Sequence, residues 1–200
     1  ERGPTLNRAP LTETDMTLFY RALGDVAAFA ELERPGDLDR LRAQIGSQFT
    51  ITDHFAGRAL LALQGPTAAT ALATLTSPEA LQGFYFMQAR AMTVADVPCW
   101  VSRTGYTGED GFEIACESDQ VETLARALLE CEGVEPAGLG CRDSLRLEAG
   151  LCLYGQDMDT DTTPIEANIA FVVSKARRRE SPDFPGSDKI MDHVQNGTPR

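Results

Sequence analysis

Ser102-Arg103-Thr104-Gly105-Tyr106-Thr107-Gly108-Glu109-Asp110-Gly111-Phe112-Glu113-Ile114 is the stretch on which the chain turns. Val101 to Arg103 reads as a strand and Phe112 to Cys116 as a second, so the segment between them is a turn displaying Tyr106, Glu109, Asp110 and Glu113. Three glycines within it permit backbone conformations closed to other residues and let another group approach the main chain closely. Thr-Gly and Asp-Gly pairs also serve as plain hairpin connectors with solvated acids. A phosphate cradle is a poor fit. The Gly-x-x-x-x-Gly-Lys-Ser/Thr pattern is missing, and the loop is acidic where a phosphate wants donors and positive charge. An acidic, aromatic loop suits a ligand that donates hydrogen bonds.

The surrounding chain sets bounds on that ligand. Two hundred residues suffice for a real core in one or two domains. A composition 42% hydrophobic and 24% charged is that of a globular protein. A net charge of −12, with pI near 4.6, argues against a nucleic-acid or anionic-membrane binder, which needs a basic face. No apolar run reaches the ~20 residues of a membrane span. Cys99, Cys116, Cys131, Cys141 and Cys152 are scattered and odd in number, with no zinc or redox spacing, and read as reduced structural thiols. No metal site is expected.

Upstream, residues 1–17 read as loop, Thr17 to Tyr20 as a short strand and Ala22 to Glu33 as an alanine-rich helix. Asp37 caps a helix with Leu38, Leu41 and Ile45 on one face, closed by Gly46. Phe49 to Thr52 reads as strand. His54, in the turn after it, has no nearby nucleophile and reads as incidental. Ala59 to Leu63 is a compact apolar run, expected as a buried strand entering a helix at Pro66 that lasts to about Leu75. Met92 to Val94 is expected to pair with Trp100 and Val101 across Asp96-Val97-Pro98. Trp100, on bulk alone, is assigned to the core.

Downstream, Asp119 with Glu122 makes a capping-box-like start to a helix striped by Val121, Leu124, Leu128 and Leu129 and ended by Gly133. A second helix is expected from about Arg142 to Ala149. Leu145 and Leu147 do not share a stripe, which predicts burial on more than one side, with Arg142, Arg146 and Glu148 partly buried. A buried arginine needs a carboxylate or a ligand. For Arg146 the expected partner is local, such as Glu148 or Glu166; Arg142, at the helix mouth, is the candidate for a ligand. Leu151 to Tyr154 reads as strand. The acids of residues 155–163 alternate as in a calcium loop, but the glycine and glutamate that such a loop requires are lacking. Pro164 opens a segment reaching Ile169 to Val173, read as helix or buried strand. Lys175 to Arg179 reads as a solvated basic run, and Ser187 to Val194 as the start of another element. Helices and strands without regular alternation point to an α+β fold.

Three segments together resemble one family: residues 102–114; Gly138 through Gly155; and Asp157-Met158-Asp159 through Glu166, followed by the basic run and Asp183-Phe184-Pro185-Gly186. Leu61-Ala62-Leu63-Gln64-Gly65-Pro66 fits as well. The chain is similar, over roughly residues 59–190, to the aminomethyltransferase (T-protein) of the glycine cleavage system. The resemblance implies a folate-binding aminomethyltransferase-type fold, incomplete at both ends. It divides the chain into a divergent N-terminal segment at 1–50, a folate-binding core at 51–175, and a basic loop with the start of a C-terminal domain at 176–200. It also implies transfer of the methylene carbon from aminomethyl-lipoyl H-protein to tetrahydrofolate with release of ammonia. The implied cofactor is tetrahydrofolate and the implied partner is the lipoyl-bearing H-protein, with neither nucleic acid nor membrane. Glu113 matches the family's folate-contacting glutamate, Tyr106 an aromatic beside the pocket, and Arg142 the binding arginine. The family's catalytic aspartate lies in a Gly-Gly-x-x-Asp-Asp-type segment. Asp15, Asp25, Asp37 and Asp39 are not in that setting, so no catalytic residue is carried over. That departure keeps two alternatives open: a non-catalytic folate-binding relative, or a folate-dependent demethylase or dimethylglycine oxidase-type domain. The basic run with Asp183-Phe184-Pro185-Gly186 resembles the mitochondrial branch, which implies the mitochondrial matrix, with bacterial cytoplasm the alternative.

Overall fold

The computed structural model describes residues 57–175, 178, 184 and 186–199, with Asp39, Arg42, Ala43 and Ser47 besides. The expected strands at 17–20 and 49–52, the helix at 22–33 and His54 lie outside the described residues. Of the expected helix at 37–46, Asp39, Arg42 and Ala43 are described and are helical. The chain divides into two compact units, Glu1–Arg142 and Asp143–Arg200.

The first unit holds an antiparallel sheet of β1 (Arg58–Gln64), β2 (Ala89–Val94), β3 (Val97–Ser102) and β4 (Gly111–Glu117), in the order β1-β4-β3-β2. Side chains alternate across such a sheet. One face presents Leu61, Leu63, Val97, Cys99, Val101, Phe112, Ile114 and Cys116 to the core. That face is covered by α1 (Ala68–Ala73), through Ala68, Ala71 and Leu72, and by α3 (Val121–Leu129), through Val121, Leu124 and Leu128. A short helix, α2 (Pro78–Leu81), leads to Phe84, which packs on Phe112 with ring centroids 5.9 Å apart.

Alternation overrides bulk in this sheet. Trp100 is 53% exposed, not buried as expected, because Val97, Cys99 and Val101 take the inward positions and the residue between must face out. Leu60 is likewise 44% exposed, so β1 is half-buried rather than a fully buried run. The β2–β3 hairpin turns on Ala95 and Asp96 alone, both at positive φ, the two-residue turn whose twist suits a hairpin. Pro98 therefore belongs to the strand. Pairing of β3 with β4 begins only at Trp100, so a proline there removes no ladder bond. Residues 84–88, ahead of β2, are irregular.

Helix starts shift too. α1 begins at Ala68, with Pro66 in the preceding turn. α3 has Gln120 at its N-cap and no side-chain cap bond. Glu122, expected to cap, instead accepts two bonds from Arg126 one turn on, at 2.7 and 3.0 Å. α4 (Leu139–Glu148) starts three residues before the expected Arg142. It is not buried on several sides: Leu147 is 54% exposed, Glu148 is exposed, and Arg146 alone is buried.

In the second unit Arg146 finds carboxylates, though not Glu148 or Glu166. It donates to Asp143 at 2.8 Å, to Asp157, to the Leu151 carbonyl and to Gln156. A helical side chain leans toward the preceding turn, which favours Asp143 over Glu148. Asp157 also accepts from the Leu153 N–H at 2.8 Å. Side chains thus occupy backbone groups that a ladder would need, and the expected strand at 151–154 is reduced to one isolated bridge, Tyr154 to Met158. Residues 164–168 form turns, followed by one 3-10 turn at Ala170–Val172 and by α5 (Ser187–Asn196). Thr163 and Glu166 bond each other's N–H groups, and buried His193 of α5 lies 2.9 Å from the Thr163 hydroxyl.

Candidate functional site: the loop between β3 and β4

The loop from Arg103 to Asp110 is tied down at three places. Arg103 grips Asp110 with two parallel bonds of 2.9 and 2.6 Å and donates a third to the Phe84 carbonyl at 2.6 Å. The hydrogen bond from Arg103 holds the Asp110 carboxyl below its ordinary range. The Asp110 carbonyl accepts from Gly65 N at 2.9 Å. Gln64, at the end of β1, supplies the third tie. Its Nε2 donates to the carbonyls of Thr104 at 3.0 Å and Phe112 at 3.2 Å, and its Oε1 accepts from the Thr107 hydroxyl at 3.1 Å. Gly105 and Gly111 flank that amide, and a Cβ at either would run into it.

The loop so fixed sits beside Glu113. This residue is on β4, not in the turn, opposite Ser102 on β3 and Ala62 on β1. It shares the sheet face that carries Trp100 and Leu60, not the core face, and its side chain is 26% exposed. Its Oε2 accepts from the Thr104 hydroxyl at 2.5 Å, and Thr104 Oγ1 lies 2.9 Å from Ser102 Oγ. Its Oε1 faces Arg142 of α4, with Nη2 at 3.8 Å. The Arg142 guanidinium lies over the Tyr106 ring, 5.8 Å from the centroid. Glu113 and Tyr106, near each other in sequence, therefore meet Arg142 of α4, which is distant from both. Asp110 does not join them, being committed to Arg103, and Glu109 is exposed.

Carboxylate, guanidinium and phenol, supported by a clamped loop, make a half-buried polar site that accepts and donates at neighbouring points. The GCVT N-terminal domain model matches residues 4–177. The chain belongs to the GCVT N-terminal domain family. Similar relatives include the mitochondrial aminomethyltransferase of Solanum tuberosum, 51% identical over 142 residues, covering 70% of this chain and 34% of that protein. That of Gallus gallus is 49% identical over 140 residues, covering 70% and 35%. Among solved structures, the glycine cleavage system aminomethyltransferase T from Bartonella henselae is 45% identical, with a TM-score of 0.60, over 70% of this chain and 37% of that one. The chain thus spans about a third of the length of these relatives.

Within this GCVT domain, Gln64, Thr104 and the Arg103–Asp110 pair escape a reading of the sequence for site residues. Opposite charges at either end of the loop could have signalled the Arg103–Asp110 clamp. Gln64 gives no local signal, since its partners lie 40 or more residues away. None of the five cysteines, all among the described residues, forms a disulfide. Burial pushes the Cys99 thiol up to about 11, far from thiolate chemistry at neutral pH. In the acidic loop, Asp159 accepts from the N–H groups of Asp161 and Thr162 and from the Thr162 hydroxyl, so this acid shapes the turn.

Proposed function

We propose that this chain carries the folate-recognition part of an aminomethyltransferase of the glycine cleavage system. The observation that carries the reading is the meeting of Glu113 with Arg142 and Tyr106 on a GCVT domain. A pterin ring edge offers adjacent N–H and NH2 donors. Glu113 can accept from such an edge, and charge-assisted bonds of this kind are strong and directional. Tyr106 supplies an aromatic face and a hydroxyl, and Arg142 a fixed fork of donors for a carbonyl or anionic oxygen. These residues fit a reduced folate, and residues 51–175 are read as its binding core.

In the proposed reaction the aminomethyl carbon leaves the lipoyl sulfur of H-protein and ends bridging N5 and N10 of tetrahydrofolate. The C–S and C–N bonds break and two C–N bonds to the folate form. The two N–H protons lost from the folate are balanced by those gained on the dihydrolipoyl thiol and on ammonia. Tetrahydrofolate supplies the nucleophilic nitrogens. The chain's own residues orient it: Glu113 holds the pterin edge, and Arg142 and Tyr106 flank it. H-protein is the proposed partner. The names of the mitochondrial relatives support the mitochondrial matrix as the compartment.

Calorimetric titration of the purified 200-residue chain with a reduced folate under anaerobic conditions tests this. Micromolar binding that weakens on the order of tenfold or more in Glu113→Ala is expected, since truncation removes a charge-assisted bond. A folded chain with no affinity for any reduced folate would sink the reading. Turnover with aminomethyl-loaded H-protein is the assay that follows binding.

A further inference from the structure

We propose that Gln64 and Thr104 are positioning residues of this site. Gln64 fixes the loop that carries Thr104, and the Thr104 hydroxyl fixes the carboxylate of Glu113 as an acceptor turned toward the ligand. The proposal rests on the folate reading above and adds how the carboxylate is set before a ligand arrives.

The argument begins with a count of protons. A threonine hydroxyl has one to give, and an ionised carboxylate has none. Thr104 Oγ1 lies 2.5 Å from Glu113 Oε2 and 2.9 Å from Ser102 Oγ. Thr104 therefore donates to Glu113 and accepts from Ser102, and the hydroxyl chain runs one way, Ser102 to Thr104 to Glu113. The other acceptor near the Ser102 hydroxyl, the Glu113 carbonyl, is 3.5 Å away and makes the weaker bond. The short bond to a charged acceptor is the strong one in this chain.

This anchors one carboxylate oxygen and leaves the other with acceptor capacity. Oε1 is 3.8 Å from Arg142, too long for a hydrogen bond, so that contact does not use up its lone pairs. With Oε2 held, the carboxylate plane no longer rotates freely. The ordering cost is then met in the free protein rather than on binding. A ligand edge that brings N–H donors finds acceptors in place, and one that brings a carbonyl meets repulsion.

Gln64 makes the same arrangement rigid from behind. Its amide uses both N–H groups and its oxygen on Thr104, Phe112 and Thr107. Turning the amide over would set its oxygen against two carbonyls, so one orientation is fixed by the network. One side chain thus joins the strand position beside Glu113 to the residue whose hydroxyl holds Glu113. The closeness of Gly105 and Gly111 to that amide follows from the same packing.

The test is calorimetry of the full 200-residue chain with 5-formyltetrahydrofolate, together with thermal unfolding of each variant. Thr104→Val, isosteric but without the hydroxyl, should lose about three- to tenfold in affinity with little change in melting temperature. Thr104→Ser should bind within about twofold of the parent chain, because it keeps the hydroxyl. In a Glu113→Ala background Thr104→Val should cost nothing further, which a merely structural threonine would not produce. Gln64→Glu, which places charge against the Thr104 and Phe112 carbonyls, should weaken binding at least as much as Thr104→Val. If Thr104→Val binds as well as the parent, or costs the same factor with and without Glu113, the positioning role is overturned and the folate reading stands. A folded parent chain that binds no reduced folate overturns the folate reading and this role with it.

Discussion

Arg142 faces Glu113 across 3.8 Å, close enough to be an ion pair and too far to be a hydrogen bond. Both side chains are partly open to solvent, at 37% and 26% exposure. The geometry resembles a gap held open between opposite charges more than a strut that braces two elements. An exposed pair of this kind contributes roughly 0–1 kcal/mol to stability, so its worth lies in what can be placed between the charges.

Arg142→Ala is therefore expected to separate binding from stability. Its unfolding free energy should fall by no more than about 1 kcal/mol, while affinity for a reduced folate drops on the order of tenfold through loss of the charged donor fork. Calorimetry and denaturant unfolding of the same preparation check both halves. A large loss of stability with unchanged affinity would make Arg142 a structural residue.

The clamp behind the loop predicts a pH dependence. The hydrogen bond from Arg103 holds the folded Asp110 carboxyl below its ordinary value. A carboxyl depressed in the folded state contributes stability that is whole above the unfolded value of ~3.9 and is lost as pH falls below it. Asp110→Asn cannot lose what it never had. Melting temperatures measured from pH 7 down to pH 3 should therefore fall less steeply in Asp110→Asn than in the parent chain, the two curves converging at the acid end. Parallel curves would mean that the Arg103 bond adds nothing in solution.

Which parts of this structure were legible follows from the range over which each interaction acts. Alternation and helical stripes are local, so the strands flanking residues 103–110 and the Val121, Leu124 and Leu128 stripe could be read from the sequence. Bulk alone misplaces Trp100, because strand alternation sends it to the face opposite Val101. The capping role given to Glu122 failed because Arg126, four residues on, competes for the same carboxylate. The grouping of Glu113, Arg142 and Tyr106 is legible through a resemblance between motifs, not through periodicity. Gln64 gives no such signal, since its partners Thr104, Thr107 and Phe112 lie 40 or more residues away, beyond any window of sequence. His193, buried on α5, meets Thr163 at a separation of 30 residues, again beyond a local pattern.

The parity argument carries its own test. Trp100→Ser removes a side chain that is 53% exposed and should cost under about 1 kcal/mol. Leu124→Ala removes a side chain with 0% exposure and should cost about 2–5 kcal/mol by loss of burial and creation of a cavity. Denaturant midpoints with an unchanged slope measure both. A cost for Trp100→Ser equal to that of Leu124→Ala would put the tryptophan in a core.

Gly105 and Gly111 should respond differently to the same rescue. The three atoms nearest a Cβ on Gly105 all belong to the amide end of Gln64, a flexible side chain that can be cut away. A Cβ on Gly111 also comes to 2.6 Å from the backbone oxygen of Leu63, which cannot move without disturbing the β1–β4 ladder. Gly105→Ala alone should destabilise by about 1–3 kcal/mol, since it expels an amide whose partners are then left unbonded. In a Gln64→Ala background most of that added cost should vanish, the coupling being read from a double-mutant cycle. Gly111→Ala should stay costly in both backgrounds. Equal rescue of the two glycines would mean that the contact with Leu63 is relieved by a small backbone shift, and that Gln64 alone dictates glycine at both positions.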